Sequence, residues 1–561
     1  MMNTPRQTRL QDADLVAHIH FENLAARLPI SWPTPSDLPV SPKNQYRSQY
    51  RYPGCEKLKD PAAWTYLSLF EILLYLIDFS GLRPVLAQLL GWQTSRGQVP
   101  FDPVSMFLLF GWQLTNQWSR AKTLKKLADP RYADLAAIFG FEAGVFPTEG
   151  GCRYFLTTLG RNSTCDDHRI VLDETTSIAR QRLNDLIVQS VYLLLDTGII
   201  SPQAWEKAQI CPDGMLHTAA SRMRCAHVKA SCYEPTSPDK PRPCPAQDKG
   251  KQGCSCDTLV CTTTCCFASP RDTEARFVFY SGHNQPHHSP NKTNDPKKQK
   301  KSSGRAVFGY RSLPVLLSDP NRRFHVILAD DFHPANLPEP PPVAALYHQL
   351  SDWYPSLNVD VVSGDAAFGT KLILQTVYHH LRARRVMDLR SHETDHDPTN
   401  WLLRGYDDRG RPLCPFGYRL VANGYDPQRL RRKYFCNQLC SQGTEPVVAL
   451  DTVPHPPVDC PHLSSDHPLG LILNVGERFA DGSIRLVRDV LVGSPAWKRL
   501  YHRPRNASEG RNASFEFWGL KRLSVFGLAR GRATIFQADV WANLTTLARL
   551  IREATLAASP P

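Results

Sequence analysis

The chain has 561 residues, room for about two to four domains of roughly 150 residues each. Apolar residues make up 42% and charged residues 21%, which excludes a mainly disordered chain. A formal net charge of +13 and a pI near 9.0 point to a polyanionic partner, either nucleic acid or an acidic membrane.

No segment reads as a membrane span. The apolar run Tyr66 to Ile77 is too short and contains Glu71. The uncharged stretch between Asp102 and Arg120 carries Gln113, Asn116 and Gln117, which would need partners in lipid. The N-terminus, Met1 to Arg6, leads into polar sequence without an apolar stretch, so no secretory signal is expected. The 16 cysteines are therefore expected as free thiols or metal ligands in a reducing compartment. Five Asn-x-Ser/Thr triplets, at Asn162, Asn291, Asn506, Asn512 and Asn543, read as chance matches to a short motif.

Residues 1–60 are polar and Pro-rich, and are expected to form a partly ordered arm. From 61 to 200 the periodicity is helical. Trp64, Leu67, Phe70, Ile72, Leu74 and Ile77 make one broad apolar face. Asp102-Pro103 starts a second helix. Ser119 to Leu127 is a short basic amphipathic helix with Arg120, Lys122, Lys125 and Lys126, stopped by Asp129-Pro130. Ile178 to Leu194 reads as a long helix. The four cations of this helical domain are expected to contact nucleic-acid phosphates, or simply to be solvated.

After residue 205 the texture changes to short β-branched and aromatic runs: Ala208–Cys211, Ala275–Tyr280, Leu313–Leu317, Phe324–Ala329 and Val359–Ser363. A helix over about Lys371–Arg384 and a strand Arg385–Asp388 follow. The order predicts an α/β domain with a mixed sheet, beginning in 201–390 and ending in 491–561. Gly482–Val492 reads as strands, Tyr501–Arg522 as a long helix and Val540–Ile551 as a final helix.

Two inserts interrupt the pattern. The insert 222–305 holds Cys225, Cys232, Cys244, Cys254, Cys256, Cys261, Cys265 and Cys266, which with His227 offer ligands for one or two zinc ions, or are free thiols. It ends in the basic run Lys297 to Lys301, a solvated loop or a non-specific phosphate contact. The β-rich insert 391–490 holds Cys414, Cys436, Cys440 and Cys460. Four thiolates would make a closed tetrahedral structural zinc site.

Two acids follow predicted strands directly. Asp213 follows Ile210-Cys211-Pro212, and Asp365 follows Val361-Val362-Ser363-Gly364. A carboxylate there lies on the rim of the sheet, where α/β sites form. It is also a common turn or N-cap residue. On the late helix, Arg505 and Glu509 are four apart and share a face poor in apolar residues.

In this order, Asp213-Gly214, Val361 to Asp365 and Arg505-x-x-x-Glu509 resemble the DDE transposases of bacterial insertion sequences. Further motifs in the same order strengthen the likeness. They are Asp102-Pro103, Ser119-Arg120, Phe139-Gly140-Phe141 and Phe146-Pro147-Thr148, then Arg530-Gly531-Arg532 and Trp541-Ala542-Asn543-Leu544. The resemblance spans about residues 60–555, apart from the first insert. The chain departs from the family at the late helix. Tyr501 stands four before Arg505, where three is expected, and Glu516 stands where a basic residue is expected.

The resemblance implies an RNase H-like catalytic core with Asp213, Asp365 and Glu509 as catalytic residues and ligands of two Mg²⁺ (or Mn²⁺) ions. It implies cleavage by water and then attack of the freed 3′-hydroxyl on target DNA, without a covalent protein–DNA intermediate. It also implies DNA contacts by Arg505, Arg511, Lys521 and Arg522, a homodimer on DNA, and a cytoplasmic, nucleoid-associated protein without membrane contact. Two other functions remain open on the residues alone. One is a catalytically inactive DNA-binding remnant of a transposase. The other is a zinc-stabilised nucleic-acid-binding protein with chance carboxylates.

Overall fold

The computed structural model of the chain describes residues 28–34, 46–92, 99–172, 176–220, 223–225, 233–234, 242–243, 268–270, 272–280, 305–319, 324–388, 405–407, 411–428, 431–447, 460, 462–463, 468–476 and 495–558. Most of the first Cys-rich insert, its basic run, and the strands expected over 482–492 lie outside these residues. Among the described residues, no helix is long and apolar enough to cross a membrane.

The N-terminal region is helical, as the periodicity predicts. Its main helices are α1 (Leu69–Leu76), α2 (Pro103–Thr115), α3 (Arg120–Leu127), α4 (Glu149–Arg161) and α5 (Asn184–Asp196). Local chemistry sets their starts. Ser68 and Glu71 form a reciprocal cap on α1. Asp102 caps α2, with Pro103 in its first turn. The helix expected from Ile178 begins only at Asn184, because Ser177–Gln181 pairs as a strand with Thr164–Val171. Of the expected arm, Ile30–Ser31 pairs with Ile77–Asp78 and Trp32 is buried.

The α/β region is built on a five-stranded mixed sheet. Its strands are β1 (Ala208–Pro212), β4 (Val315–Asp319), β5 (Phe324–Ala329), β6 (Val359–Gly364) and β7 (Arg384–Met387). Between β1 and β4 the chain runs through β2 (Met215–Thr218) and β3 (Arg305–Ser312), which pair in a second sheet. The order across the main sheet is β5-β4-β1-β6-β7. β4 is antiparallel to both β5 and β1, while β6 is parallel to both β1 and β7. Helix α6 (Pro340–Trp353) lies between β5 and β6 in the chain.

Two long helices complete the structure. α7 (Pro495–Phe517) starts earlier and ends sooner than the sequence suggests. α8 (Leu528–Ala558) is far longer than the expected Val540–Ile551. Its first turns carry Arg530 and Arg532, which lie outside the expected helix and bond to α4. Arg532 donates to the Gly160 carbonyl at 3.2 Å, and Arg530 to Thr157 at 3.0 Å. Trp541 of α8 is buried against Phe107 at 5.1 Å, Phe70 at 5.3 Å and Phe79 at 6.2 Å between ring centroids. A side chain at Gly111 would overlap that indole, so α2 needs glycine there. The edge strand β5 is closed by two amides. Asn543 exchanges two 2.9 Å hydrogen bonds with the Ile327 backbone. Asn184 bonds both backbone groups of Asp330 just beyond the strand.

Arg511 of α7 is fully buried rather than facing DNA. Its guanidinium donates to Asp330 at 2.9 Å, to Asp539 at 2.8 Å and to the Ser312 hydroxyl at 3.1 Å. The expected DNA contact at this position is therefore corrected: Arg511 neutralises buried acid. Burial and the Asp539 charge raise Asp330 well above the ordinary carboxylate range, with Arg511 opposing. The chain of bonds continues. Ser312 Oγ lies 2.9 Å from His217 Nε2, and His217 Nδ1 lies 2.9 Å from the Leu520 carbonyl. Since a carbonyl only accepts, Nδ1 carries the proton and Nε2 accepts from Ser312.

Burial pushes the His217 imidazole down to about 3. Between that value and the unfolded value of about 6.5, the unfolded chain binds the extra proton. Stability is therefore full above pH 6.5 and is lost as pH falls. The expected slope from this group is about 1.4 kcal/mol per pH unit. Denaturant titrations between pH 6 and 5 should show a smaller slope by about that amount in His217→Gln. An unchanged slope would remove His217 from the acid response.

Candidate active site

Period-2 alternation decides which residues share the site face. Trp497 and Tyr501 of α7 pack on Val361 of β6 and Val386 of β7. α7 therefore covers the face to which Val361 and Val386 point. Steps of two along the chain keep to that same face, through Ser363 of β6 to Asp365 just past it, and to Asp388 just past β7. The parallel register pairs Gly364 with Met387 and Val362 with Ile210. Continued, it sets Asp213, Asp365 and Asp388 side by side at the C-terminal ends of three adjacent strands. Neighbouring strands lie about 4.8 Å apart.

Each acid is fixed by named groups. Asp213 Oδ2 accepts from Asn512 Nδ2 at 2.8 Å, and its Oδ1 from the Gly214 amide at 2.9 Å. Asp365 caps the short turn Ala366–Phe368 and accepts from the Ala367 amide at 2.9 Å. Asp388 accepts from the Tyr501 hydroxyl at 3.2 Å. Tyr501 in turn accepts from Arg505 at 2.9 Å. Burial, followed by the Asp365 charge, raises the Asp213 carboxyl, while Ser508, the Gly214 amide and Arg505 pull it down. Burial also raises Asp365; the Ala367 amide and Arg505 oppose it, and the Asp388 charge adds to it.

A further acid, Glu339, reaches the same site from the start of α6. Burial raises its carboxyl and Arg311 lowers it, with the charges of Asp365 and Asp213 raising it further. It pairs with Arg311 at 3.1 Å. A Cβ on Gly214 would lie 3.1 Å from Glu339 Oε1, so the Asp-Gly pair leaves room for this carboxylate. Neither Glu339 nor Asp388 was among the sequence-predicted site residues. Asp388 had a related local signal, an acid that ends a predicted strand. Glu339 had none, because only the folded chain brings it to Gly214.

α7 presents a regular stripe to the sheet. Trp497, Tyr501, Pro504, Ser508, Arg511 and Phe515 are buried, at spacings of four and three. Glu509 lies beside that stripe with its side chain 66% exposed, 3.6 Å from Arg505. It shares its side of the helix with Arg505 and Asn512. Glu516 is 60% exposed and pairs with Lys521 at 2.8 Å, two turns further on. Arg522 is exposed in the turn after the helix.

The basic helix α3 does not present its four cations together. Lys122 lies over Trp118 and Lys126 over Tyr132, each at 5.3 Å. Lys125 is exposed. Arg120 is partly buried and turned to a separate cleft.

In the second insert, Val421–Asp426, Arg431–Phe435 and Ile472–Gly476 form a three-stranded antiparallel sheet. Beside it, Cys414, Cys436, Cys440, Cys460 and His462 line one small cavity. Burial pushes the Cys414 thiol up to about 11. Backbone amides two residues on are aimed at three of the sulfurs, from Phe416, Gln438 and His462. The Gln438 amide lies 3.4 Å from the Cys436 sulfur. Such amides favour thiolate, the metal-binding form. As they stand, no three or more His, Cys, Asp or Glu side chains among the described residues are grouped to hold a metal ion. Of the first insert's cysteines, only the backbone of Cys225 is described.

Compared with known proteins, the chain matches no family model, no curated protein and no solved structure.

Proposed function

We propose that the chain is a DNA transposase that cleaves element ends and joins the 3′-hydroxyl to target DNA, on an RNase H-like core. One observation carries the proposal: Asp213 and Asp365 end adjacent parallel strands, side by side, beneath a polar stretch of α7. The mixed sheet supports the fold reading, since β1 has an antiparallel neighbour on one side and a parallel one on the other.

Asp213 and Asp365 suit a divalent cation. Two adjacent carboxylates raised by burial are a costly arrangement that a cation offsets. Asp213, Asp365 and Glu509 would hold Mg²⁺ or Mn²⁺, which, when bound, stabilises charge on the attacking and leaving oxygens. The protein's own groups do the positioning. Asn512 and the Gly214 amide fix Asp213, and Tyr501 orients Arg505 beside both aspartates. Arg505, Lys521, Arg522, Arg120 and the lysines of α3 supply phosphate contacts. Tyr501 acts as a hydrogen-bonding link and not as a nucleophile. The DNA complex is a homodimer on this proposal, in a nucleoid-associated protein.

The test is strand cleavage of DNA carrying the element's terminal repeats, with Mg²⁺ or Mn²⁺ and with chelator. Metal-dependent nicking supports the proposal, and binding without nicking at any metal concentration rejects it. That second outcome would favour the binding-only remnant, with which the exposed Glu509 also agrees.

The second insert is proposed to hold structural zinc through Cys414, Cys436, Cys440 and Cys460. Metal analysis of Cys436→Ser/Cys440→Ser should find about one zinc fewer per chain than the parent, with lower thermal stability. Equal zinc content would reject the site.

A further inference from the structure

Between the helical region and the turn after α7 lies a cleft of about 440 Å³. Arg120, Arg153, Arg522 and Arg530 line it, against one acid, Glu149. Glu149 is already paired with Arg153 at 2.8 Å. Burial, together with the charges of Arg153 and Arg530, pushes the Arg120 guanidinium below the usual arginine range, with Cys152 and Glu149 opposing. The N-terminal end of α3 opens on the same cleft through Ser119, Arg120 and Ala121. The leading amides of a helix carry partial positive charge and have no acceptor within it. Arginines and a helix end thus converge in one concavity, which suits a phosphate.

The walls are aromatic. Trp118, Trp518 and Phe526 line the cleft, and Phe526 is 39% exposed. Aromatic faces in a basic groove stack unpaired bases. The volume is that of a small-molecule pocket, too small for a base-paired duplex. Trp518 lies just past the end of α7, six residues after Asn512, the Asp213 partner.

We propose that this cleft takes one unpaired nucleotide of a DNA strand, with its phosphate at Arg120 and Arg522 and its base against Trp518 and Phe526. The proposal rests on the DNA-processing reading above and extends it to recognition of an unpaired strand.

Full-length protein in chelator is titrated, by fluorescence anisotropy, with a labelled 12-nucleotide oligothymidylate, an abasic strand of equal length and a 12-base-pair duplex. Trp518→Leu and Phe526→Leu should each weaken oligothymidylate binding about tenfold and leave duplex binding within about twofold. Trp518→Leu should not weaken binding of the abasic strand, which has no base to stack. Equal loss for strand and duplex, or unchanged strand binding in both variants, overturns the proposal. So does free thymidine monophosphate binding as tightly as the strand, or polyglutamate displacing it at equal charge. Should Trp518→Leu melt lower than the parent, the result rests on Phe526→Leu, whose ring is exposed. Metal is absent throughout, so the two ideas fail separately. Equal loss for strand and duplex, in a protein whose metal-dependent cleavage is intact, sinks the cleft alone. Selective loss of strand binding, in a protein that does not cleave with metal, sinks the carboxylate site alone.

Discussion

Asp213→Asn should lower DNA strand cleavage by about 10³-fold or more while leaving DNA binding nearly unchanged. The substitution keeps the shape of the side chain and removes its charge. One amide oxygen can still accept from Asn512, which now bonds Asp213 Oδ2 at 2.8 Å. The amide NH₂ then replaces the oxygen that accepts from the Gly214 amide, so that bond is lost. What is also lost is negative charge at the end of β1, the charge that holds a cation. The same change should have the opposite sign for stability. Asp213 is raised above the ordinary carboxylate range by burial and by Asp365, so its ionised form costs stability in the metal-free protein at neutral pH. That cost is absent below the unfolded carboxylate value and grows as pH rises through the folded one. Metal-free Asp213→Asn should therefore melt above the parent at pH 7, and the difference should vanish at low pH. Single-turnover cleavage and thermal melting in chelator check the two halves. Cleavage within about tenfold of the parent would exclude Asp213 from the chemistry.

Asp213 and Asp365 were legible in the sequence because their signal is local: an apolar β-branched run, then an acid, then a turn. That pattern survives folding, since the end of a parallel strand is also the rim of the sheet. Asp388 carried a related signal but gained meaning only from register, which sets it beside Asp365. Glu339 and Arg511 were not legible in this way. Glu339 reaches the site from the start of α6, far from any other site residue in sequence. Arg511 looks like a surface cation on a polar helix, yet two acids from distant elements enclose it. Ile178 fits both a helical and an extended pattern, and pairing with Thr164–Val171 decides for the strand. The N-terminal half of α8 was missed for a related reason. Arg530 and Arg532 suggest solvent, but their partners are hydroxyls and a carbonyl on α4 and just beyond it.

Glu509→Gln is expected to lower cleavage about 10³-fold, and Glu516→Gln to stay within about threefold of the parent. The two acids are seven residues apart, about 11 Å of helix rise, so only one reaches the carboxylate site. Glu516 is held by Lys521 at 2.8 Å, beyond Phe515 and near the end of the helix. Glu509 lies one turn from both Arg505 and Asn512, and both of these face Asp213. Its 3.6 Å ion pair with Arg505 is long, and the side chain is 66% exposed. Such a pair contributes little stability, which leaves the carboxylate free to exchange Arg505 for a cation. Asp388 is the rival, at the end of β7 beside Asp365. One of its oxygens already accepts from Tyr501, which orients Arg505. Asp388→Asn should therefore act through that link, costing about tenfold in cleavage, with binding of Mn²⁺ to the protein, followed by its paramagnetic effect on water relaxation, unchanged. Glu509→Gln should weaken that Mn²⁺ binding clearly. If Asp388→Asn instead abolishes both Mn²⁺ binding and cleavage while Glu509→Gln spares them, the third carboxylate belongs to the sheet edge and not to α7. Full cleavage in both variants would reject a third carboxylate at either place.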